Sequence, residues 1–335
     1  MVRSSKKELL EIVESFSSVS ILVVGDIILD RYIWGAADRI SPEAPVPVVA
    51  VTRTEDRLGG AGNVVQNLFE MGVGVSVAGV IGDDSSGNTV LDLLKSDNTN
   101  CNGVLISKGR PTTLKTRVIA RAQQVVRIDR EETGPHSETI QSGFASAISD
   151  QIEAVHAVIV SDYGKGAISA PVWQAFDSAR AAGDLGANSR PLVLDPHPAN
   201  YHLYHGVSVA KPNRKETELA SGIKINSYED AIAAADVLRE KWQADRLLIT
   251  LGELGLVITP GNGSDPISLE TRAQEVFDVS GAGDCVTALY TAAIATGASP
   301  EAAGDLANIG AGIVVSEVGT VPIRMDKLIA AIEVL

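Results

Sequence analysis

The sequence predicts an α/β fold, with a mostly parallel central sheet, helices on both of its faces, and a small β-sheet that acts as a lid. Three observations predict this fold. Short β-rich apolar runs alternate with longer Ala- and Leu-rich helical patterns, 45% of the 335 residues are apolar, and two segments interrupt the alternation. A chain of this size and composition can bury one large core. Because no long linker or internal repeat divides the chain, we expect a single domain over residues 1–335.

The alternating elements follow one another along most of the chain. The apolar runs predict buried strands at 20–25, 75–82, 156–162, 191–195, 207–213 and 246–252. The helical patterns predict helices at 61–71, 171–182, 228–241, 282–297 and 300–317. Each predicted strand ends in Gly, Asp or Asn. Ligands of parallel α/β sheets bind beyond the carboxyl ends of the strands, so these polar strand ends are the first candidates for a site.

Two insertions break the alternation. Residues 33–56 contain three prolines and no helical period, and residues 109–130 alternate polar and apolar side chains from Thr116 to Ile128. Both patterns predict antiparallel strands outside the main sheet. We expect the two insertions to form the lid. The run "APVPVVAV" within the first is apolar on both faces, which predicts a homodimer formed through the lid.

Basic residues are concentrated at the second insertion. Seven of the 28 Lys and Arg residues lie between Lys108 and Arg130, with one acid, Asp129. Strand parity places Lys115, Arg117 and Arg121 on one face, and Arg127 joins them only if no turn resets the register. This face is either solvated or holds a phosphate already present on the substrate, because guanidinium groups bind phosphate through paired hydrogen bonds.

Charge and cysteine content exclude several classes of protein. The net charge of −14 argues against a nucleic-acid partner. The most apolar early run, residues 19–29, contains Asp26 and is too short to cross a membrane, so we expect no membrane partner. The two cysteines, Cys101 and Cys285, fit neither a disulfide framework nor a zinc site, which predicts a cytoplasmic protein.

The stretch "DVSGAGDCVTAL", residues 278–289, is the strongest candidate for a catalytic motif. A helix that begins near Ala282 directs its free N–H groups toward residues 280–283, and these donors together with the helix dipole favour an anion such as phosphate. Asp284 would oppose an anion unless it accepts a proton from an attacking hydroxyl group. We therefore predict an anion site at which Asp284 accepts the proton of an attacking hydroxyl group.

Three further motifs are weaker when each is taken alone. "GGAGN", residues 59–63, brings bare backbone close to a ligand or forms an ordinary turn, and it lacks the dinucleotide-binding fingerprint. "KPNRKETE", residues 211–218, offers a cation, an amide and a carboxylate for a magnesium nucleotide, or simply starts a helix. "TLGELG", residues 250–255, meets phosphates or forms a plain hairpin. No P-loop motif is present.

In their order and spacing these motifs resemble the ribokinase (PfkB-type) family of carbohydrate kinases, from about residue 20 to 330. The resemblance implies a ribokinase-like fold and a sugar kinase that uses ATP and Mg²⁺. It implies that Asp284 is the catalytic base and that Gly281, Ala282 and Gly283 form its anion hole. For the sugar, it implies a hydroxyl ligand at Asp30 and a binding turn at Gly59, Gly60 and Asn63.

The same resemblance implies a nucleotide side. Asn213 and Glu216 resemble the family's magnesium-water motif, next to Lys211, whose charge would offset the phosphates. Thr250, Gly252 and Gly255 resemble the strand end that meets the ATP phosphates. Asn308 falls in the helix on the adenine side.

A narrower resemblance concerns the substrate. "GDIILDRYIWG", "RISPEAPVPVV", "TLKTRVIARAQQVVRIDRE", "SDYGKG" and "AGIVVSEVGT" resemble the D-glycero-D-manno-heptose 7-phosphate kinases, the kinase domain of bifunctional ADP-heptose synthesis proteins. This implies phosphorylation of the anomeric hydroxyl for lipopolysaccharide precursor synthesis. The basic face with Lys115 and Arg117 would then hold the sugar phosphate. His197 stands where relatives often have Lys, so another sugar or sugar phosphate remains the alternative. A silent sugar-phosphate sensor would have lost the base.

Overall fold

The computed structural model describes residues 4–120, 123–186, 189–260, 264–272, 278–317 and 319–335. Its strands are β1 (Ser20–Gly25), β2 (Ile27–Ile40), β3 (Pro47–Gly60), β4 (Gly74–Gly82), β5 (Asn100–Ser107), β6 (Thr113–Ala120), β7 (Gln123–Arg130), β8 (Ala157–Ser161), β9 (Leu192–Asp195), β10 (Val209–Ala210), β11 (Arg246–Thr250), β12 (Leu256–Pro260) and β13 (Ile267–Leu269). Its α-helices are α1 (Lys6–Glu14), α2 (Ala61–Glu70), α3 (Ser85–Ser96), α4 (Glu138–Ile152), α5 (Ala170–Ala182), α6 (Arg214–Ser221), α7 (Tyr228–Trp242), α8 (Ala282–Ala295), α9 (Pro300–Val314) and α10 (Met325–Glu333).

The main sheet has the strand order β13-β12-β11-β10-β9-β8-β1-β4-β5. The strands from β11 to β5 pair in parallel, and β12 and β13 add an antiparallel edge. This confirms the predicted mostly parallel sheet. The antiparallel edge arises because only a short turn joins β11 to β12, and such a connection cannot return the chain for a parallel pairing.

Helices cover both faces of the sheet, and strand β1 shows why. Ile21 and Val23 point into a core that includes side chains of α1, α2, α8, α9 and α10. Leu22 and Val24 point to the opposite face, into a core with α4, α5 and α7. Successive side chains of a strand alternate between its two faces, so a strand buried on both faces is a continuous apolar run.

A second, four-stranded sheet has the order β3-β2-β6-β7. It confirms that both insertions form strands outside the main sheet. Their pairing is antiparallel for β2–β3 and β6–β7, but β2 and β6 pair in parallel, which corrects the expected all-antiparallel arrangement. The parallel pair follows from topology, because β3, α2, β4, α3 and β5 separate the two strands in the chain and return it in the same direction.

Arg127 was expected to share the basic face of Arg117 only if no turn reset the strand register, and the small sheet corrects this expectation. The chain reverses between β6 and β7, yet Arg127 lies directly opposite Arg117 and therefore shares its face. Direct partners in a ladder point to the same face, and the register shift between Val118 and Ile119 lies beyond this pair. Arg121, predicted for the same face, lies outside the described residues. In the part of the chain that the structure describes, no helix is both long and apolar enough to cross a membrane.

Candidate active site

Polar side chains collect at the carboxyl ends of the parallel strands, where the sheet topology places a ligand site. Asp26 follows β1, Tyr163 follows β8, Asp195 ends β9 and Lys211 follows β10. The amino terminus of α8 points to the same region, because Asp284 in its first turn contacts Tyr163. The site therefore combines residues from several strand ends with one helix start.

Asp284 is the buried centre of this site, 6% exposed. Its Oδ2 accepts a hydrogen bond from Nδ2 of Asn63 at 2.6 Å, and its Oδ1 accepts one from the hydroxyl of Tyr163 at 2.5 Å. Burial, and then the charge of Asp195, raise the pKa of Asp284 to about 6, against the opposing effects of Tyr163, Asn63 and Lys211. A carboxyl group with this pKa is mostly ionised at neutral pH and is a stronger base than an ordinary aspartate.

The glycines before Asp284 make room for its neighbours. Gly281 has φ +82°, and a Cβ there would lie 2.9 Å from Nδ2 of Asn63. A Cβ on Gly283 would lie 3.3 Å from Nζ of Lys211. α8 begins at Ala282, as the motif predicts, so its free N–H groups and the Lys211 ammonium meet at one place. This combination of donors and positive charge can bind an anion.

Lys211 is buried and paired. Its Nζ lies 3.0 Å from Oδ1 of Asp195, and Oδ2 of Asp195 accepts a hydrogen bond from Thr287 at 3.2 Å. Burial lowers the pKa of Lys211, but the carboxylates of Asp195, Glu216 and Asp284 outweigh it and the pKa is raised. Lys211 is therefore a fixed positive charge at neutral pH.

The residues predicted for the sugar come together beside Asp284. Asp30 of β2 is 5% exposed, and a Cβ on Gly59 of β3 would lie 2.4 Å from its Oδ2. Gly60 has φ +57°, and a Cβ there would lie 2.4 Å from the carbonyl oxygen of Asp26. α2 begins immediately afterwards and carries Asn63 to Asp284. The "GGAGN" turn thus joins the small sheet to the buried carboxyl group.

Two guanidinium groups approach the ring of Tyr32 beside Asp30. Arg117 donates from Nη1 to Oδ1 of Asp30 at 2.5 Å, and its Cζ lies 5.3 Å from the ring centroid. Cζ of Arg57 lies 4.9 Å from the same centroid. Lys115 also faces this side, but its Nζ contacts carboxylate oxygens of Asp129 and Glu131, each at 3.1 Å. Lys115 is therefore already paired within the sheet.

The nucleotide-side residues lie at neighbouring strand ends. Asn213 caps α6 and forms a reciprocal capping box with Glu216, while a β-bridge pairs Asn213 with Thr250. The helix-start interpretation of "KPNRKETE" is thus visible in the structure. Gly252 and Gly255 both have positive φ in the turn to β12, where a Cβ on Gly255 would lie 2.0 Å from a carbonyl oxygen. The hairpin interpretation of "TLGELG" is visible too.

Of the other residues on the nucleotide side, Asn308 makes a structural hydrogen bond, and Glu216 could help to bind a cation. Asn308 of α9 donates to the carbonyl oxygen of Glu270 at 2.7 Å. The described residues contain no group of three or more His, Cys, Asp or Glu side chains that could cage a metal ion. The capping box uses Oε2 of Glu216, and burial and then Asp195 raise its pKa. One carboxylate with phosphate oxygens and water is a ligand set that Mg²⁺ accepts, so the residues fit.

Three contributors were absent from the predicted site. Tyr163, Asp195 and Arg57 contact or charge-couple to predicted residues, yet none was assigned a role: Tyr163 stands in the "SDYGKG" stretch and Asp195 at a predicted strand end without one. Tyr163 and Asp195 lie at or just after strand ends, which is the signal that could have found them. Arg57 lies outside the cluster of basic residues at 108–130, and only the pairing of β2 with β3 places it opposite Asp30.

Comparisons with known proteins agree with this geometry. Residues 19–327 match the model of the pfkB family carbohydrate kinase. The chain belongs to the pfkB family of carbohydrate kinases. This pfkB kinase is 42% identical over 321 residues to the bifunctional protein HldE of Desulfatibacillum aliphaticivorans, which covers 96% of the chain and 64% of that relative. It is 40% identical over 327 residues to the bifunctional protein HldE of Pelobacter propionicus, which covers 98% of the chain and 66% of that relative. The chain therefore spans just under two thirds of the length of these relatives.

Solved structures share the fold of this pfkB kinase at low sequence identity. The ribokinase of Arabidopsis thaliana complexed with ribose and ATP aligns with a TM-score of 0.72 at 18% identity, over 94% of this chain and 99% of the ribokinase. Phosphofructokinase-2 of Escherichia coli in complex with substrates and products aligns with a TM-score of 0.74 at 17% identity, over 95% and 99% of the two chains. The predicted ribokinase-like fold is confirmed.

Proposed function

We propose that this pfkB kinase transfers the γ-phosphoryl group of ATP to the anomeric hydroxyl of D-glycero-D-manno-heptose 7-phosphate, giving the 1,7-bisphosphate and ADP. The observation that carries the proposal is the Arg117 guanidinium group at the Tyr32 ring beside Asp30; the neighbouring Arg57 already binds Glu55 and the carbonyl oxygen of Thr320. A sugar that carries a phosphate needs such a cation, and an unphosphorylated sugar does not. Relatives named HldE, at about 40% identity over nearly the whole chain, support the same substrate.

The chemistry of the proposed reaction follows from Asp284 and its surroundings. As the sugar oxygen forms its bond to the transferred phosphorus, Asp284 accepts the proton of that hydroxyl group. The N–H groups at the start of α8 and the ammonium of Lys211 stabilise the negative charge on the phosphoryl group. Phosphoryl transfer asks a protein chiefly for positioning and electrostatic stabilisation, and both are built into this helix start.

Bound Mg²⁺ would neutralise phosphate charge at the nucleotide. Glu216 would hold it through water, with Asn213 fixing the orientation of the Glu216 carboxylate through the capping box. The nucleotide side would be lined by Lys211, Thr250, Gly252, Gly255 and Asn308.

Arg117 retains donors for a substrate. A guanidinium group has five N–H donors, and the contact with Asp30 uses one of them. The remaining edge can bind a phosphate through paired hydrogen bonds. We propose that the small sheet is the lid, which brings Arg117 to the sugar and excludes the water that would otherwise accept the phosphoryl group.

The lid also carries the proposed dimer contact. Ile40, Val51 and Ile128 are 64%, 58% and 56% exposed on the small sheet, which is an unusual position for large apolar side chains. A second copy of the chain would cover them. Cys101 and Cys285 are free thiols, which fits a reducing cytoplasm as the place of the reaction.

An ADP-release assay with a panel of sugars and sugar phosphates tests the substrate. We expect the highest kcat/KM with heptose 7-phosphate. A higher value with another sugar phosphate would replace the substrate and keep the enzyme class. No ADP release with any member of the panel would favour the silent sensor.

Arg117→Lys tests the phosphate contact separately. Lysine keeps the charge beside Asp30 but cannot form the paired hydrogen bonds. We expect kcat/KM to fall by about 10–150-fold with the phosphorylated sugar, the equivalent of a charged hydrogen bond, and to change little with its unphosphorylated counterpart. Arg127→Lys is the matched control, because Arg127 lies opposite Arg117 on the same face with its side chain 50% exposed. Equal losses with both sugars would remove Arg117 from the phosphate site.

A further inference from the structure

The loop after β8 is fixed by one buried carboxylate. Oδ2 of Asp26 accepts hydrogen bonds from the backbone N–H groups of Tyr163 at 2.9 Å and Lys165 at 3.0 Å, and Oδ1 accepts one from Ala167 at 2.9 Å. Asp26 is 4% exposed. Hydrogen bonds to an ionised acceptor are the strong ones, and three of them to one loop leave its backbone little freedom. Tyr163 is therefore presented from a fixed position.

From this position Tyr163 reaches the proposed base. Its hydroxyl donates to Oδ1 of Asp284, while Asn63 of α2 donates to Oδ2. The two donors come from different parts of the chain and hold the two ends of one carboxyl group. Each carboxylate oxygen keeps a second lone pair, so the group can still accept a proton from a sugar hydroxyl.

We propose that Tyr163 is a positioning residue for phosphoryl transfer, whose hydroxyl holds the Asp284 carboxylate in the orientation that accepts the sugar proton. Tyr163 lies in the stretch "SDYGKG" that carries the narrower resemblance, but neither that resemblance nor the glycine motif assigns it a role. The proposal rests on Asp284 being the base, as the proposed function has it, but not on which sugar is the substrate. A base misplaced by a small distance loses much of its effect, since proton transfer requires hydrogen-bond contact.

The charges around Asp284 define what the loss of Tyr163 would do. The carboxylate of Asp195 disfavours ionisation of Asp284, while Lys211, Asn63 and the Tyr163 hydroxyl favour it. Asp30 also faces the Tyr163 hydroxyl. Burial and the nearby carboxylate of Asp284 raise the pKa of Tyr163 well above its ordinary value, so the hydroxyl stays a donor at every working pH. Without it, Asp284 binds its proton more tightly.

Tyr163→Phe tests the proposal through the pH dependence of kcat/KM, which reports groups of the free enzyme. We expect the acidic limb of the profile to move up by about 1–2 pH units, the equivalent of one charged hydrogen bond. The rate loss should be largest near pH 6, where the moved limb adds to the misorientation of the base, and it should be smaller but still present near about pH 9, where both forms are ionised. ATP affinity, measured by calorimetry, should not change.

Tyr290→Phe is the matched control. Tyr290 lies on α8 with Asp284, is fully buried, and its hydroxyl has no hydrogen-bond partner among the described residues. The same substitution there should leave the pH profile in place. An unmoved acidic limb in Tyr163→Phe would overturn the proposal, and so would a full recovery of kcat/KM near about pH 9, since the hydroxyl would then set the pKa of Asp284 without positioning it. A gain in kcat/KM at every pH would also overturn it, since the hydroxyl would then obstruct the sugar.

A wrong substrate or a wrong base would give results that differ from those of a wrong role for Tyr163. The profiles are measured with whichever acceptor is best in the sugar panel, so a different sugar defeats the heptose assignment and leaves this test intact. Asp284→Asn with unchanged turnover would defeat the base itself, and Tyr163 would then have nothing to position.

Discussion

Asp284→Asn should stop turnover and, at neutral pH, make the folded protein more stable. The pKa of Asp284 is about 6 in the folded protein, raised from an ordinary 3.8 chiefly by burial and then by Asp195. Between these two values the folded protein holds a proton that the unfolded chain releases. The free energy of unfolding therefore falls as pH rises through this window, and the loss is complete above pH 6.

The size of this effect follows from the shift. A shift of about 2 pKa units corresponds to about 3 kcal/mol, which the ionised carboxyl group costs the folded protein at neutral pH. Asparagine has the same shape without the charge. Its oxygen can accept from Tyr163, but its amide would face the amide of Asn63, so about 1 kcal/mol of hydrogen bonding is lost. We expect a net gain of about 1–3 kcal/mol near pH 8, and none near about pH 4.

Denaturant unfolding at the two pH values measures this gain, and ADP release measures the rate. Loss of a general base lowers kcat by about 10²–10⁴-fold, while ATP affinity should persist because the carboxyl group acts on the sugar side. Asp92→Asn, an exposed change of equal charge on α3, is the control and should alter neither quantity. Equal destabilisation at both pH values would show that Asp284 is not held in an unfavourable ionised state. Retention of more than half of kcat would show that it is not the base.

Three other outcomes follow from the site and the lid. Glu216→Gln should raise the Mg²⁺ concentration needed for half-maximal rate, because the amide oxygen can still accept from the backbone N–H of Asn213 but the negative charge is lost. Glu218→Gln on the same helix is the control and should leave that concentration unchanged. An unchanged Mg²⁺ titration in Glu216→Gln would mean that "KPNRKETE" only starts a helix. Gly59→Ala should raise KM for the sugar and not for ATP, because its Cβ would lie 2.4 Å from Oδ2 of Asp30; an unchanged sugar KM would separate this turn from the sugar. Light scattering at micromolar concentration should show a dimer, and a monomer would contradict the lid contact.

Local sequence patterns predicted most strands of the main sheet, but they did not predict the exact ends of every strand or all of the covering helices. Strand β10 is two residues long, Val209–Ala210, rather than the seven expected at 207–213. Pro212 has no N–H group to donate, so beyond it only a single bridge between Asn213 and Thr250 continues the pairing. Helix α4 was not predicted, although Phe144, Ile148 and Ile152 repeat every four residues and are buried. Its mostly polar and small remaining residues obscure that period. Single-segment patterns therefore miss elements whose apolar stripe is narrow.

The candidate site divides in a similar way. The start of α8 and the "GGAGN" turn were predictable, because glycines, a helix start and a carboxylate within a few residues of one another determine their own geometry. Tyr163 and Arg57 were not, since each reaches its partner across more than 25 residues of chain or through strand pairing. No property of the residues beside Tyr163 in the sequence indicates that its hydroxyl meets Asp284. Only the packing of α8 against the end of β8 brings them together.

The motif "KPNRKETE" can start a helix and also help to bind a metal ion, and the charges around Lys211 show why both roles are compatible. The structural and the metal interpretations use different atoms, because the capping box occupies Oε2 of Glu216 and leaves its other oxygen. Asp195, Glu216 and Asp284 all act on the pKa of one buried cation, Lys211. Three carboxylates around one ammonium already leave negative charge in excess, and a nucleotide adds more. In the proposed reaction phosphates approach these carboxylates, which calls for a further cation, and Glu216, held in place by the helix start, would hold it through water.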